Sequence, residues 1–174
     1  AHVKCGVSYH ALNLMRYGVP DSAVEARFSI PYCVSAALVL GKLGIQAFSD
    51  EAIARADIRD LIGKITVTIL PAFSTQELFQ AAHDAGTAYT EVEVVHRSGK
   101  VFRKRRDHQK GHPDSPLSIE EFHAKFVDCV SARFSPQAAQ TVWQWLANLD
   151  EVKLVKPAAF LSRDGLLDRF SSTN

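Results

Sequence analysis

Along the first residues of the chain, apolar and polar positions alternate. Val3, Cys5, Val7 and Tyr9 fall on one side and His2, Lys4, Gly6 and Ser8 on the other, the period-two pattern of a strand with one buried face. Between Ala11 and Ser22 the pattern lapses, and Gly18 and Pro20 mark a connection. Ser29 then reads as an N-cap, with Pro31 in the first turn where its missing N–H costs nothing. The helix it opens runs to about Leu43. Tyr32, Cys33, Ala36, Ala37 and Leu40 make a broad apolar face that Val34, Leu38 and Val39 widen. A helix apolar nearly all round is expected to be enclosed by other elements, so this one is predicted to be central.

Further along, Ser49–Ala56 and Asp57–Lys64 read as two short helices, each opened by a capping residue. Ile65 to Leu70 alternates again and predicts a second strand stopped by Pro71. Ser74-Thr-Gln-Glu77 has the spacing of a capping box and predicts a helix to Ala85. Tyr89–Arg97 and Lys100–Asp107 form a hairpin around Ser98-Gly99. A second capping box, Ser118 to Glu121, opens a helix whose stripe is Ile119, Phe122, Phe126, Cys129 and Val130, with Lys125 as an i, i+4 partner of Glu121. Ser135-Pro136 starts a last helix to about Leu149, with Ala138, Val142, Trp145, Leu146 and Leu149 on one face. Trp143 points away from that face with Ala139 and Ala147, which implies a second packing partner: the tail, another subunit or a further domain.

Strands and helices mix without regular βαβ alternation. The expected class is therefore α+β: a mainly antiparallel sheet packed with helices, followed by a C-terminal helical pair. The expected division is 1–117 for the α+β part, 118–161 for the helices and 162–174 for a polar tail.

Composition narrows the function classes. Of the 174 residues, 47% are hydrophobic and 22% charged, and the formal net charge is +1, so the molecule as a whole is not built to bind nucleic acid. No apolar run approaches the roughly 18 residues of a membrane span. Cys5, Cys33 and Cys129 are odd in number, widely spaced and set among apolar neighbours, which predicts buried, reduced thiols and a cytoplasmic setting. The sequence starts at Ala1 and its single Met is Met15, which reads as a processed chain or an excised piece of a longer one.

Candidate chemistry is sparse. Arg97, Lys100, Arg103, Lys104, Arg105, Arg106 and Lys110 form a basic run with only Phe102 as an aromatic neighbour. Guarding a sheet edge or contacting a subunit suits that run better than attracting a small anion, and either suits it better than nucleic acid. His108 and His112 flank a glycine turn beside Asp107 and Asp114, a set able to hold a metal, but turn histidines are commonly solvated and no metal is expected. No Walker loop, GxGxxG or GxSxG occurs, and no catalytic triad can be identified from spacing. Glu25 and Arg27 either orient a carboxylate or form a surface ion pair.

Four blocks together carry a resemblance. They are Pro20 through Glu25-Ala-Arg-Phe-Ser-Ile-Pro-Tyr32 with Ala36 to Gly41; Phe48 to Glu51 with Asp57 to Leu61; Val92 to Gly99; and Gly111-His-Pro-Asp-Ser-Pro116 with Glu121 and Lys125-Phe126. In order and approximate spacing, over about Val3 to Leu149, they resemble the MmgE/PrpD family of dehydratases, decarboxylases and epimerases. A helix-like segment from Pro71 to Gly86 departs from its pattern.

The resemblance implies more than the residues do alone. Family members are longer, and a preceding all-helical domain supplies most of their catalytic groups. This chain then corresponds to the smaller lid-type domain, with no catalytic residue of its own and no cofactor. The implied partners are a small polycarboxylate and either the helical domain or a second copy of the chain, with no nucleic acid or membrane. In the decarboxylase branch a lid tyrosine precedes the position of Pro20; Leu14 falls near it here, with Tyr17 three residues on. Arg16, Tyr17 and Ser29 are the expected substrate contacts, Arg16 through a carboxylate and the other two as hydrogen-bond donors. The alternative is a free-standing, non-catalytic interaction or ligand-binding module of the same fold.

Overall fold

The computed structural model describes residues 2–131 and 133–148, and the expected end of the last helix at Leu149 and the tail from 162 lie outside them. The chain divides into two compact units, with the boundary between residues 116 and 117.

In the first unit the sheet has the order β2-β1-β3-β4. Its strands are β1 (His2–Val7), β2 (Ile65–Ile69), β3 (Thr90–Val95) and β4 (Val101–Arg106). β1 runs parallel to β2 and antiparallel to β3, and β3 and β4 form the expected antiparallel hairpin. The α+β class and the mainly antiparallel sheet therefore hold, with one parallel pair.

Register follows from the alternation. Val3, Cys5 and Val7 sit beside Ile65, Val67 and Ile69, and Val3 and Cys5 also face Val94 and Val92. All three β1 residues are buried. The opposite face is polar: Lys4 faces Glu93, which in turn faces Arg103. Gly6 lies in this row because a Cβ there would meet Leu70 Cδ2 at 2.6 Å and the Glu91 side chain at 2.9 Å.

Helices fill the crossover between β1 and β2. They are α1 (Tyr9–Leu14), α2 (Ala23–Arg27), α3 (Ile30–Leu40), a 3-10 turn (Ile45–Phe48), α4 (Asp50–Ala54) and α5 (Ala56–Ile62). Ser8, Ser22, Ser29 and Ser49 cap α1 to α4 by accepting backbone N–H groups. The core gathers Ala26, Tyr32, Ala36, Ile53, Ile58 and Ile62, with Val39, Leu40 and Phe48 packed against them. Tyr32 is its anchor: fully buried, it donates its hydroxyl proton to the Ala47 carbonyl.

Several expectations are corrected. The segment between Ala11 and Ser22 is not merely a connection, because α1 extends into it. α3 stops at Leu40 with Gly41 as its C-cap, and Leu38 is 51% exposed, so the helix is not enclosed on every side. α5 is preceded by Arg55, whose side chain makes no cap; Asp57 lies inside the helix and pairs with Arg55 at 2.6 Å. Between β2 and β3 come a 3-10 turn (Pro71–Phe73) and α6 (Gln76–Asp84). Ser74 closes that turn with helical backbone angles, so Thr75, which is extended, caps α6 instead.

The second unit contains α7 (Ile119–Val130) and α8 (Pro136–Ala147). The Ser118–Glu121 capping box is fully formed, with the Glu121 carboxylate accepting the Ser118 N–H at 2.8 Å. Trp143 has its partner inside this unit: its ring lies 4.8 Å from His123, 5.5 Å from Phe126 and 5.7 Å from Phe122. On α7, Ile119 and Phe122 remain exposed. The thiols also differ from expectation: all three are free, but only Cys5 is buried and Cys129 is exposed. No helix among the described residues is long and apolar enough to cross a membrane.

Candidate functional site

The three expected substrate contacts meet where the α1–α2 loop returns past the start of α3. Arg16 and Ser29 form an isolated antiparallel bridge, and the Tyr17 N–H donates to the Phe28 carbonyl at 3.2 Å. Arg16 is exposed, with its guanidinium carbon 5.6 Å from the centre of the half-buried Tyr17 ring. Ser29 is fully buried. Its Oγ donates to the Gly18 carbonyl at 2.5 Å and accepts the Tyr32 N–H at 3.1 Å. The hydroxyl proton is thus already committed, and Ser29 acts as the fastener of the corner that presents Arg16 and Tyr17.

Glu25 and Arg27 work separately. The Glu25 carboxylate accepts the Asp21 N–H at 2.9 Å, steadying the entry into α2, while Arg27 lies over the Phe48 ring at 5.8 Å.

The basic run follows a different logic. β4 is an edge strand and all six of its residues are exposed, the placement in which charge discourages strand-to-strand pairing. Its charges are partly matched. Arg103 donates to Glu93 at 2.5 Å, Lys4 lies 3.9 Å from the same carboxylate, and Arg105 pairs with Asp107 at 2.6 Å. Hydrogen bonding from Arg103, helped by the Arg103 and Lys4 charges, pulls the Glu93 carboxyl below its ordinary range. Arg105 also covers the Tyr89 ring at 3.8 Å.

Beyond β4 lies a cavity of about 430 Å³ that the sequence did not announce. α6 contributes His83, β4 contributes Arg106, and the following turn contributes His108, His112 and Asp114, with Tyr89 in the wall. The turn is tightly built. The Gly111 N–H donates to the Ser115 carbonyl and the Ser115 N–H to the His112 carbonyl, each at 2.8 Å. Gly111 has φ 95°, a left-handed angle that other residues seldom adopt. The two imidazoles stack with centres 4.4 Å apart and planes 15° from parallel. The one hint in the sequence was the spacing of His108, His112 and Asp114. What spacing cannot give is the cavity, whose opposite wall comes from α6, remote in sequence.

Two curated relatives are both cis-aconitate decarboxylases. The Mus musculus protein is 30% identical over 139 residues, covering 78% of this chain and 27% of that protein. The Homo sapiens protein is 28% identical over 138 residues, covering 77% of this chain and 26% of that protein. The chain thus spans about a quarter of the length of each. The family model described as the MmgE/PrpD C-terminal domain matches residues 1–151, and the chain belongs to that family.

Proposed function

We propose that this chain is the lid-side part of a lyase or isomerase acting on a small polycarboxylate, and that it does not turn over substrate alone. The observation that carries the reading is the Arg16–Ser29 bridge. It holds an exposed guanidinium and a tyrosine on one fastened loop in a domain related to cis-aconitate decarboxylases. Arg16 would bind a carboxylate through paired, charge-assisted hydrogen bonds. The Tyr17 hydroxyl would donate beside it, and Ser29 would hold the loop in place. General acid–base groups would come from outside this chain. Exposed Ile119 and Phe122 on α7 suit association with a helical domain or a second copy, and three free thiols suit a cytoplasmic setting.

Two measurements test the reading. Proton NMR of cis-aconitate or 2-methylcitrate incubated with the chain alone should show no conversion; enzyme-dependent product would overturn the claim of incompetence. Tricarballylate, an unreactive tricarboxylate, titrated into ¹⁵N-labelled chain should move resonances around Arg16 and Tyr17, and Arg16→Gln should abolish the movement. Shifts that persist unchanged in that variant would overturn the assignment of the ligand contact.

A free-standing module that uses the same fold only for interaction is the second reading. The exposed α7 pair favours it, and sedimentation distinguishes it: a strictly monomeric chain at all concentrations counts against self-association.

A further inference from the structure

We propose that His108, His112 and Asp114 form a binding site for one divalent transition-metal ion of the zinc class, open on one side to the cavity beside β4. This departs from the sequence-based expectation of no metal, and it does not rest on the reading given to Arg16 and Tyr17.

Proximity is the first argument. One donor atom from each of the three residues lies within 4.8 Å of the others. Asp114 Oδ2 is 3.5 Å from His112 Nδ1 and 3.8 Å from His108 Nε2. A tetrahedral ion with bonds of about 2.0–2.1 Å holds its donors roughly 3.3–3.4 Å apart. The two contacts to Asp114 already approach that spacing, and the remaining adjustment lies between the imidazoles.

Donor chemistry is the second. Two imidazole nitrogens and one carboxylate oxygen suit zinc, cobalt or nickel better than calcium or magnesium, which prefer all-oxygen shells. The Asp114 N–H lies 3.2 Å from His112 Nδ1 and donates to it. That bond holds the nitrogen unprotonated, the tautomer that a metal needs, but it occupies the nitrogen's one in-plane lone pair, so an ion binding there takes the place of the Asp114 N–H.

Preorganisation is the third. The paired bonds between Gly111, His112 and Ser115 fix the turn, and Pro113 and Pro116 stiffen it. His112 and Asp114 therefore do not have to be collected from a flexible loop. Binding does require movement of the rings. They stack nearly parallel, whereas a shared ion lies close to the plane of each imidazole, so at least one must rotate about its Cβ–Cγ bond. That torsion is soft, and with about a third of each histidine side chain exposed there is room for it. The cavity leaves a fourth position for water or a ligand oxygen, as in zinc sites with three protein donors.

The test uses the full chain without a polyhistidine tag, titrated with Zn²⁺ by calorimetry and with Co²⁺ by visible absorption. One equivalent should bind, and Co²⁺ should develop the intense visible bands of a low-symmetry four-coordinate site. His108→Ala, His112→Ala and Asp114→Asn should each weaken binding at least as much as the roughly tenfold to hundredfold loss seen when an outer supporting partner is removed. His96→Ala, which alters an exposed histidine elsewhere, should change nothing. Zn²⁺ should also shift the ring resonances of two of the seven histidines. Circular dichroism checks that each variant is folded, and Asp114→Asn, nearly identical in shape, serves as the informative one should a histidine variant unfold. Binding of several equivalents, the same affinity in all three variants, or no binding would each overturn the proposal.

Discussion

Two aromatic clusters of the first unit handle polar groups in opposite ways. Tyr32 is fully buried among Ala26, Ala36, Ile53, Ile58 and Ile62, and its hydroxyl is committed to the Ala47 carbonyl. Burial, with a smaller contribution from Cys33, pushes its phenol above the usual range and keeps it protonated. His108 and His112 are stacked as closely as any core pair, yet each keeps about a third of its side chain in water, beside a carboxylate that is mostly exposed. The first cluster commits its hydroxyl proton inside a core closed to solvent, so it serves stability. The second lines an open cavity with two imidazoles and a carboxylate that stay partly in water, and that access makes it a place where chemistry can be added.

The sharpest way to break this contrast is to truncate each cluster. Tyr32→Ala should cost about 3–5 kcal/mol, the range for deleting a large buried aromatic, measured by urea unfolding followed by circular dichroism. Tyr32→Phe separates packing from hydrogen bonding. It keeps the ring but leaves the buried Ala47 carbonyl without its donor, for about 1–3 kcal/mol. A Tyr32→Phe variant as stable as the parent would mean that water reaches Ala47. His108→Ala, measured the same way without metal, should move the midpoint far less than either.

A smaller effect is expected at the fastener. Ser29→Ala removes the α3 cap and the bond to Gly18 together, with a cost of about 1 kcal/mol typical of lost N-caps. Its more telling consequence is local. Hydrogen exchange of the Tyr17 N–H, bonded to Phe28 beside the bridge, should accelerate more than that of the β1 amides. Uniform acceleration would mean that Ser29 contributes global stability only, and would weaken the case for Arg16 and Tyr17 as a preset pair.

How legible these regions were in the sequence follows from the range of the forces involved. Ser118 announced its helix because a capping box is completed within four residues. The Ser74 box failed by one position because the preceding 3-10 turn, set by Pro71, leaves Ser74 with helical angles unsuited to an N-cap. α1 escaped notice because six residues are too few to display a period of 3.6. The helical wheel set Trp143 and Ala139 apart from the expected main face of α8, yet Ala139 is buried and Trp143 packs on α7; a wheel shows direction and not neighbours, so α7 could not be named as the partner. Arg16 and Ser29 could be nominated only through a family likeness; that they bridge is a fact of chain return. The cavity by His108 depended on α6 arriving from elsewhere, and no local pattern encodes that.

The mildest prediction concerns the polar face of the sheet, where Lys4, Glu93 and Arg103 form a row across three strands. The Glu93 carboxyl is depressed below its ordinary value of 4.5, chiefly by its hydrogen bond from Arg103 and then by the Arg103 and Lys4 charges. A depressed carboxyl contributes stability that is fully present above the unfolded value and disappears as pH falls through the folded one. Glu93→Gln should therefore be slightly less stable than the parent at neutral pH. The two melting temperatures should converge as acid protonates Glu93 below about its ordinary range. The row is solvated, so added salt should shrink the neutral-pH difference as the screening length falls to about 3 Å at 1 M. A gap that is insensitive to both salt and acid would mean that Glu93 acts by packing, and that this face belongs with the Tyr32 cluster and not with the open, charge-bearing side of the unit.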